Sequence, residues 1–150
     1  MPMTEPADHI ILGAPFIPDM KALGGNARRR GEWQIQALAT KSAKTAWYTA
    51  FLTKAQLEWR VLPRVPFPWQ LVDIALYVAL PDRRSMDIDN LVSAYKPLLD
   101  VLCMPSGAKD VSWRLGVIED DDVNHVRSLS VYVSPGPQPP STLVEIRRVK

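Results

Sequence analysis

Carboxylates gather at two places in this chain. Asp87 and Asp89 stand two apart in the run Asp87-Ile88-Asp89-Asn90-Leu91. Further on, Glu119, Asp120, Asp121 and Asp122 follow Gly116-Val117-Ile118 without a break. Between the two groups lies Lys96-Pro97-Leu98-Leu99-Asp100-Val101-Leu102. Acids in such groups suit a hard divalent cation, because Mg²⁺ takes a few carboxylate oxygens and keeps several waters. In extended chain, alternate side chains point the same way, so Asp87 and Asp89 can converge on one ion. Asp120 and Asp121 would supply the opposing oxygens. Four adjacent acids repel one another, and a cation relieves that repulsion. Two plainer readings stand beside this one. Asp89 or Asn90 can serve as a helix N-cap, worth about 1 kcal/mol, and the acidic run can be a solvated turn.

Other chemistries find few residues. Cys103 is the single cysteine, so no intrachain disulfide is possible. It sits after Val-Leu and before Met-Pro, which reads as the buried end of a helix rather than a nucleophile. His9 and His125 lack evident partners in sequence, and no hydroxyl stands in a triad context. What remains is water activated by metal. One or two Mg²⁺ ions can activate an attacking water and stabilise the negative charge that builds in its reaction.

Charge is unevenly spread, although the net is only +2. Residues 20–64 carry nine Lys and Arg against two acids, a net of +7. Residues 82–122 carry five bases against nine acids, a net of −4. A basic segment that holds phosphates and an acidic one that holds metal is a coherent division. Asn26, Arg28, Arg29, Arg30, Lys41 and Lys44 are the candidates to touch a nucleic-acid backbone. Lys41 and Lys44 lie one turn apart and share a helix face. Contacts of this kind read charge and shape better than base sequence.

These residues need elements to position them. The 150 residues and 47% hydrophobic content predict one globular domain over 1–150, with 1–8 a loose tail. No apolar run reaches the ~20 residues of a membrane helix, and no secretory leader opens the chain. A cytoplasmic protein without membrane contact is expected. His9 to Gly13 reads as a first strand. From Trp33 to Leu62 the pattern is helical, with Ala43, Trp47, Ala50, Phe51 and Leu57 near three-and-four spacing; Trp33 is expected in the core. Pro63, Pro66 and Pro68 end that helix. Leu71 to Leu80 reads as a buried central strand. Leu91, Tyr95, Leu98 and Leu102 give one apolar helical face. Val126 to Val133 suggests a strand, and Thr142 to Val149 a last strand at a sheet edge. The order predicts an α+β fold: a small mixed sheet with two main helices packed on it.

The runs D-x-D-N-L, K-P-L-L-D-x-L and G-V-I-x-D-D, in this order, resemble the signature of the RusA-like family of Holliday junction resolvases. The core of the likeness covers residues 83–126, and a looser part, Asn26 and Trp33, reaches back towards the basic segment. The resemblance implies the same fold class, a homodimer, and Mg²⁺-dependent cleavage of four-way DNA junctions. It implies Asp87, Asp89 and Asp121 as catalytic acids, with Asp120 beside them at the metal. One departure matters. The family's lysine falls at the position of Ser93, and Lys96 stands three residues later. Three helical residues turn the chain by about 300° and advance it about 4.5 Å. If the helix begins late, as Pro97 favours, Lys96 returns to the metal and stabilises phosphate charge. If the helix runs through, Lys96 is a surface residue paired with Asp100. Two rival functions stay open: a nuclease for flaps or other branched DNA, and a catalytically weak junction-binding protein.

Overall fold

The alternation of apolar residues in four short segments builds a sheet with one buried face. The computed structural model describes residues 8–24, 33–61, 67–82, 87–105 and 113–150, with backbone alone over 54–61. The strands are β1 (His9–Ala14), β2 (Val72–Ala79), β3 (Val126–Ser134) and β4 (Ser141–Arg148). They lie in the order β1-β4-β2-β3. β4 runs antiparallel to both β1 and β2, while β2 and β3 are parallel. Ile10 and Leu12 of β1, Ile74 and Leu76 of β2, and Val144 and Ile146 of β4 point to the same buried side. β2 is central, as its apolar run predicts.

The last strand is not at an edge, which corrects the expectation from sequence. β4 is paired on both sides and buries Thr142, Val144 and Ile146. The Pro-rich connection after Ser134 carries the chain from β3 past β2, so β3 is left as the edge, and most of its residues are exposed. The tail expectation also changes at its last residue. The Asp8 carbonyl accepts from the Arg148 amide at 2.7 Å, and its carboxylate meets Lys150 at 2.9 Å. Residues 1–7 lie outside the described residues.

Helices cover the buried face. α1 (Met20–Leu23) is one turn, capped by Asp19, whose carboxylate accepts from the Lys21 and Ala22 amides at 3.1 and 3.2 Å. α2 (Trp33–Val61) is the long helix. It buries Trp47 and Phe51 in an aromatic group with Phe16 and Tyr95, ring centroids 4.3 to 5.9 Å apart. Trp33 does not join the core: it is 69% exposed, at the start of α2 and well before the turns that pack on the sheet.

The predicted helix after Asp87 forms as two. α3 (Ile88–Ala94) and α4 (Lys96–Leu102) meet at Tyr95, whose backbone sits at φ −89°, ψ 0°. Pro97 explains the break. Its ring would clash with the carbonyl four residues back in a continuous helix, and it lacks the N–H for that bond. In the first turn of α4 neither defect matters. The apolar face survives, with Leu91, Tyr95, Leu98 and Leu102 all buried. One core cluster therefore joins sheet and helices, a mixed α and β domain.

Candidate metal centre

The acidic run is held by the segment before it. Val117 and Ile118 are fully buried. Their amides both donate to the Leu102 carbonyl, at 2.9 and 3.1 Å, and the Gly116 amide donates to Cys103 at 3.0 Å. These bonds satisfy carbonyls that the end of α4 leaves open. On the other side the Glu119 amide donates to the Trp69 carbonyl at 3.1 Å. Gly116 makes the turn into this segment at φ +72°, a left-handed conformation that suits glycine. The segment is thus stitched to α4 and Trp69, and it delivers Asp120 and Asp121 next to α4.

There the ammonium of Lys96 hydrogen-bonds to both Asp121 and Asp100, the latter at 2.9 Å. The helix does not begin late, since α3 already starts at Ile88; it breaks at Tyr95, and the restart at Lys96 brings the ammonium to Asp121 as well as Asp100. Burial opposes the Lys96 charge, but the hydrogen bonds to Asp121 and Asp100 outweigh it and hold its pKa above the ordinary lysine value. Burial likewise acts to raise the Asp121 pKa, but Lys96 overrides it and the net shift is downward. Asp121 is therefore ionised at neutral pH. Lys44 of α2 reaches the same group, 3.4 Å from Asp100. Lys44 is accordingly a neighbour of the acidic site and not only part of a basic face. Lys41, one turn earlier, is exposed.

The Cys103 sulfur and one oxygen each of Asp120 and Asp121 lie within 4.8 Å of one another. Sequence reasoning placed Cys103 correctly at a buried helix end but did not bring it beside the acids. Burial, with Asp121 next, pushes its thiol up to about 12. A hard cation such as Mg²⁺ prefers oxygen to sulfur, so the donors that matter for it are the carboxylates. Asp120 and Asp121 offer the hard oxygens that Mg²⁺ takes, with Asp100 tied to them through Lys96.

Asp87 and Asp89 are not members of this group. Asp87 is the N-cap of α3, with extended backbone but no capping bond from its side chain. Asp89 already lies in the first helical turn, so the alternation of extended chain does not align the two. Its carboxylate accepts from the Asn90 amide at 2.9 Å. Both are exposed. Asn26, Arg28, Arg29 and Arg30 lie outside the described residues.

Sequence reasoning also missed the partners of the histidines. His125 Nδ1 lies 2.6 Å from Asp122, three residues back, and its Nε2 is 4.0 Å from Glu119. The hydrogen bond with Asp122 holds the His125 pKa above its ordinary value. The signal was the (i, i+3) spacing, read across a tight turn rather than a helix. His9 lies 3.5 Å from Glu145 on the neighbouring strand. The chain matches no protein-family model and no curated protein. Among the described residues no helix is long and apolar enough to cross a membrane.

Proposed function

We propose that this chain is a Mg²⁺-dependent endonuclease that resolves four-way DNA junctions, acting in the cytoplasm as a homodimer of RusA-like kind. One observation carries the reading: Lys96 lies against Asp121, beside Asp120, so the Lys-Pro-Leu-Leu-Asp run and the acidic run meet at one patch. Asp120 and Asp121 would hold Mg²⁺, which supplies an activated water and charge stabilisation when bound. Lys96 contributes an ammonium beside that patch. It neutralises Asp121 in the free protein and can turn to a phosphoryl oxygen as negative charge builds there. Asp87 and Asp89 enter the site by the resemblance, and their role is tested by substitution. A four-way junction has two-fold symmetry, so a two-fold dimer would offer two equivalent centres for paired nicks.

A specific observation favours a second reading. Asp87 and Asp89 stand outside the close group of acids, so a chain that binds junctions but turns them over weakly is the natural rival. Incubating the purified protein with a labelled synthetic junction and a labelled flap, with and without Mg²⁺, separates the cases. Paired symmetric nicks that require Mg²⁺ support the proposal. Cleavage of flaps alone moves the specificity, and a bound but intact junction supports the rival.

A further inference from the structure

We infer that a groove between α2 and Trp113 holds an unstacked nucleobase from a single-stranded segment of nucleic acid, beside the acidic patch. The inference deepens the nuclease reading and rests on it for the class of ligand. Ala37, Lys41, Lys44 and Tyr48 recur at three-and-four spacing, so they form one stripe along α2. The adjoining stripe, with Trp47 and Phe51, is consumed by the core. Trp113 closes the groove from across, and the space between is about 780 Å³. That is a volume for an organic ligand rather than for a few waters.

The chemistry of the walls narrows the ligand. Trp113 and Tyr48 supply two aromatic rings, both half-buried. The Thr45 hydroxyl on this stripe donates to the Lys41 carbonyl at 3.0 Å, so it is spent on its own helix. The charged groups at the groove include the ammoniums of Lys41 and Lys44; the Lys44 ammonium at 4.2 Å and the Arg114 guanidinium at 4.7 Å both lie over the Trp113 ring, so a base would stack there by displacing one of them. Rings flanked by ammoniums suit a flat base followed by a phosphate. Stacking on aromatic residues within a basic groove is how single strands are held without sequence preference. The position adds to this. Lys44 also lies 3.4 Å from Asp100, which Lys96 holds at 2.9 Å. A base in the groove would therefore leave its adjoining phosphate at the mouth of the acidic patch.

The test compares two strands that carry the same phosphates: a short oligothymidylate and an abasic oligonucleotide of equal length. Affinity of each for the full chain is measured by fluorescence anisotropy at low salt, without divalent metal. The base-bearing strand should bind at least about fivefold more tightly. Trp113→Ala should remove that preference, and Trp113→Phe should keep most of it. Lys41→Gln should weaken both strands by a similar factor. A second measurement uses the unaltered protein, so it does not depend on a variant folding. Ultraviolet crosslinking of a 5-bromouracil strand should mark Trp113 or Tyr48. Equal affinity for the two strands overturns the inference, as does a preference that survives in Trp113→Ala. Crosslinks confined to Tyr77 and Tyr132, which stack on the exposed side of the sheet, overturn it too. Failure of Mg²⁺-dependent cleavage with the base preference intact would instead count against the nuclease reading.

Discussion

The contact of Lys96 depends on a break in the chain. The break at Tyr95 resets the helix, and Lys96 meets Asp121. If the chain is the proposed nuclease, Lys96→Ala should lower single-turnover cleavage by about 10²–10³, the usual cost of losing a charge-stabilising donor. Unchanged turnover would remove Lys96 from the chemistry. Ser93→Lys should do little, because the Ser93 hydroxyl is bonded back to the Asp89 carbonyl within α3 at 2.9 Å, and the acidic patch already has its lysine. A rise in turnover would show that the site is reached from α3 instead. The motif residues and their order were legible as text, and so was Pro97. The outcome at Lys96 was not, because it depends on where the helix restarts.

At the scale of elements, two contacts decide how firmly the acids are held. Gly116 turns the chain with a positive φ, and an added Cβ would meet the Met104 sulfur at 3.0 Å. Gly116→Ala should cost about 1–2 kcal/mol, the penalty of a left-handed conformation with a side chain. A denaturant midpoint unchanged from the parent would contradict that. The second contact is a buried relay under the break between α3 and α4. The Thr142 hydroxyl donates to the Phe16 carbonyl at 2.9 Å, so it accepts from the Tyr95 hydroxyl at 2.8 Å. Tyr95→Phe should cost about 0.5–1.5 kcal/mol, whereas Thr142→Val leaves a buried donor unmet and should cost about 1–3 kcal/mol. Burial pushes the Tyr95 pKa up to about 12, against the lowering effect of its bond to Thr142. The neutral phenol is thus favoured by folding. Its contribution is complete below the unfolded value of ~10 and is lost as pH rises towards the folded one. Urea midpoints at pH 8 and pH 11 should fall further apart for the parent than for Tyr95→Phe. Apolar spacing made β1, β2, α2 and the α3–α4 face readable. The relay was not readable, since Tyr95 and Thr142 are joined only by the fold.

Across the whole molecule, charge and topology set what the chain can hold. Apolar runs and spacing identified each strand among the described residues but not its neighbours. β4 looked like an edge because pairing partners leave no mark on a single strand, and a Pro-rich connection that crosses a sheet reads like any surface loop. Trp33 was misplaced for a related reason: a large apolar residue at a helix start can lie beyond the part that packs. The division of charge was legible, yet Lys44 turned out to face Asp100, so the basic and acidic segments touch. If the basic segment carries DNA, replacing Arg28, Arg29 and Arg30 together should flatten the slope of log affinity against log salt, since each phosphate contact contributes roughly one unit of slope. An unchanged slope would place the DNA path elsewhere. The acidic patch at Asp121 bears the central claim. Its most direct test is single-turnover nicking of a labelled four-way junction, titrated with Mg²⁺, for the parent and for Asp121→Asn. The account predicts paired nicks that rise with Mg²⁺ in the parent, and an Asp121→Asn protein that binds the junction as tightly but does not cut it. Cutting by Asp121→Asn at the parental rate, or by the parent without Mg²⁺, would contradict it.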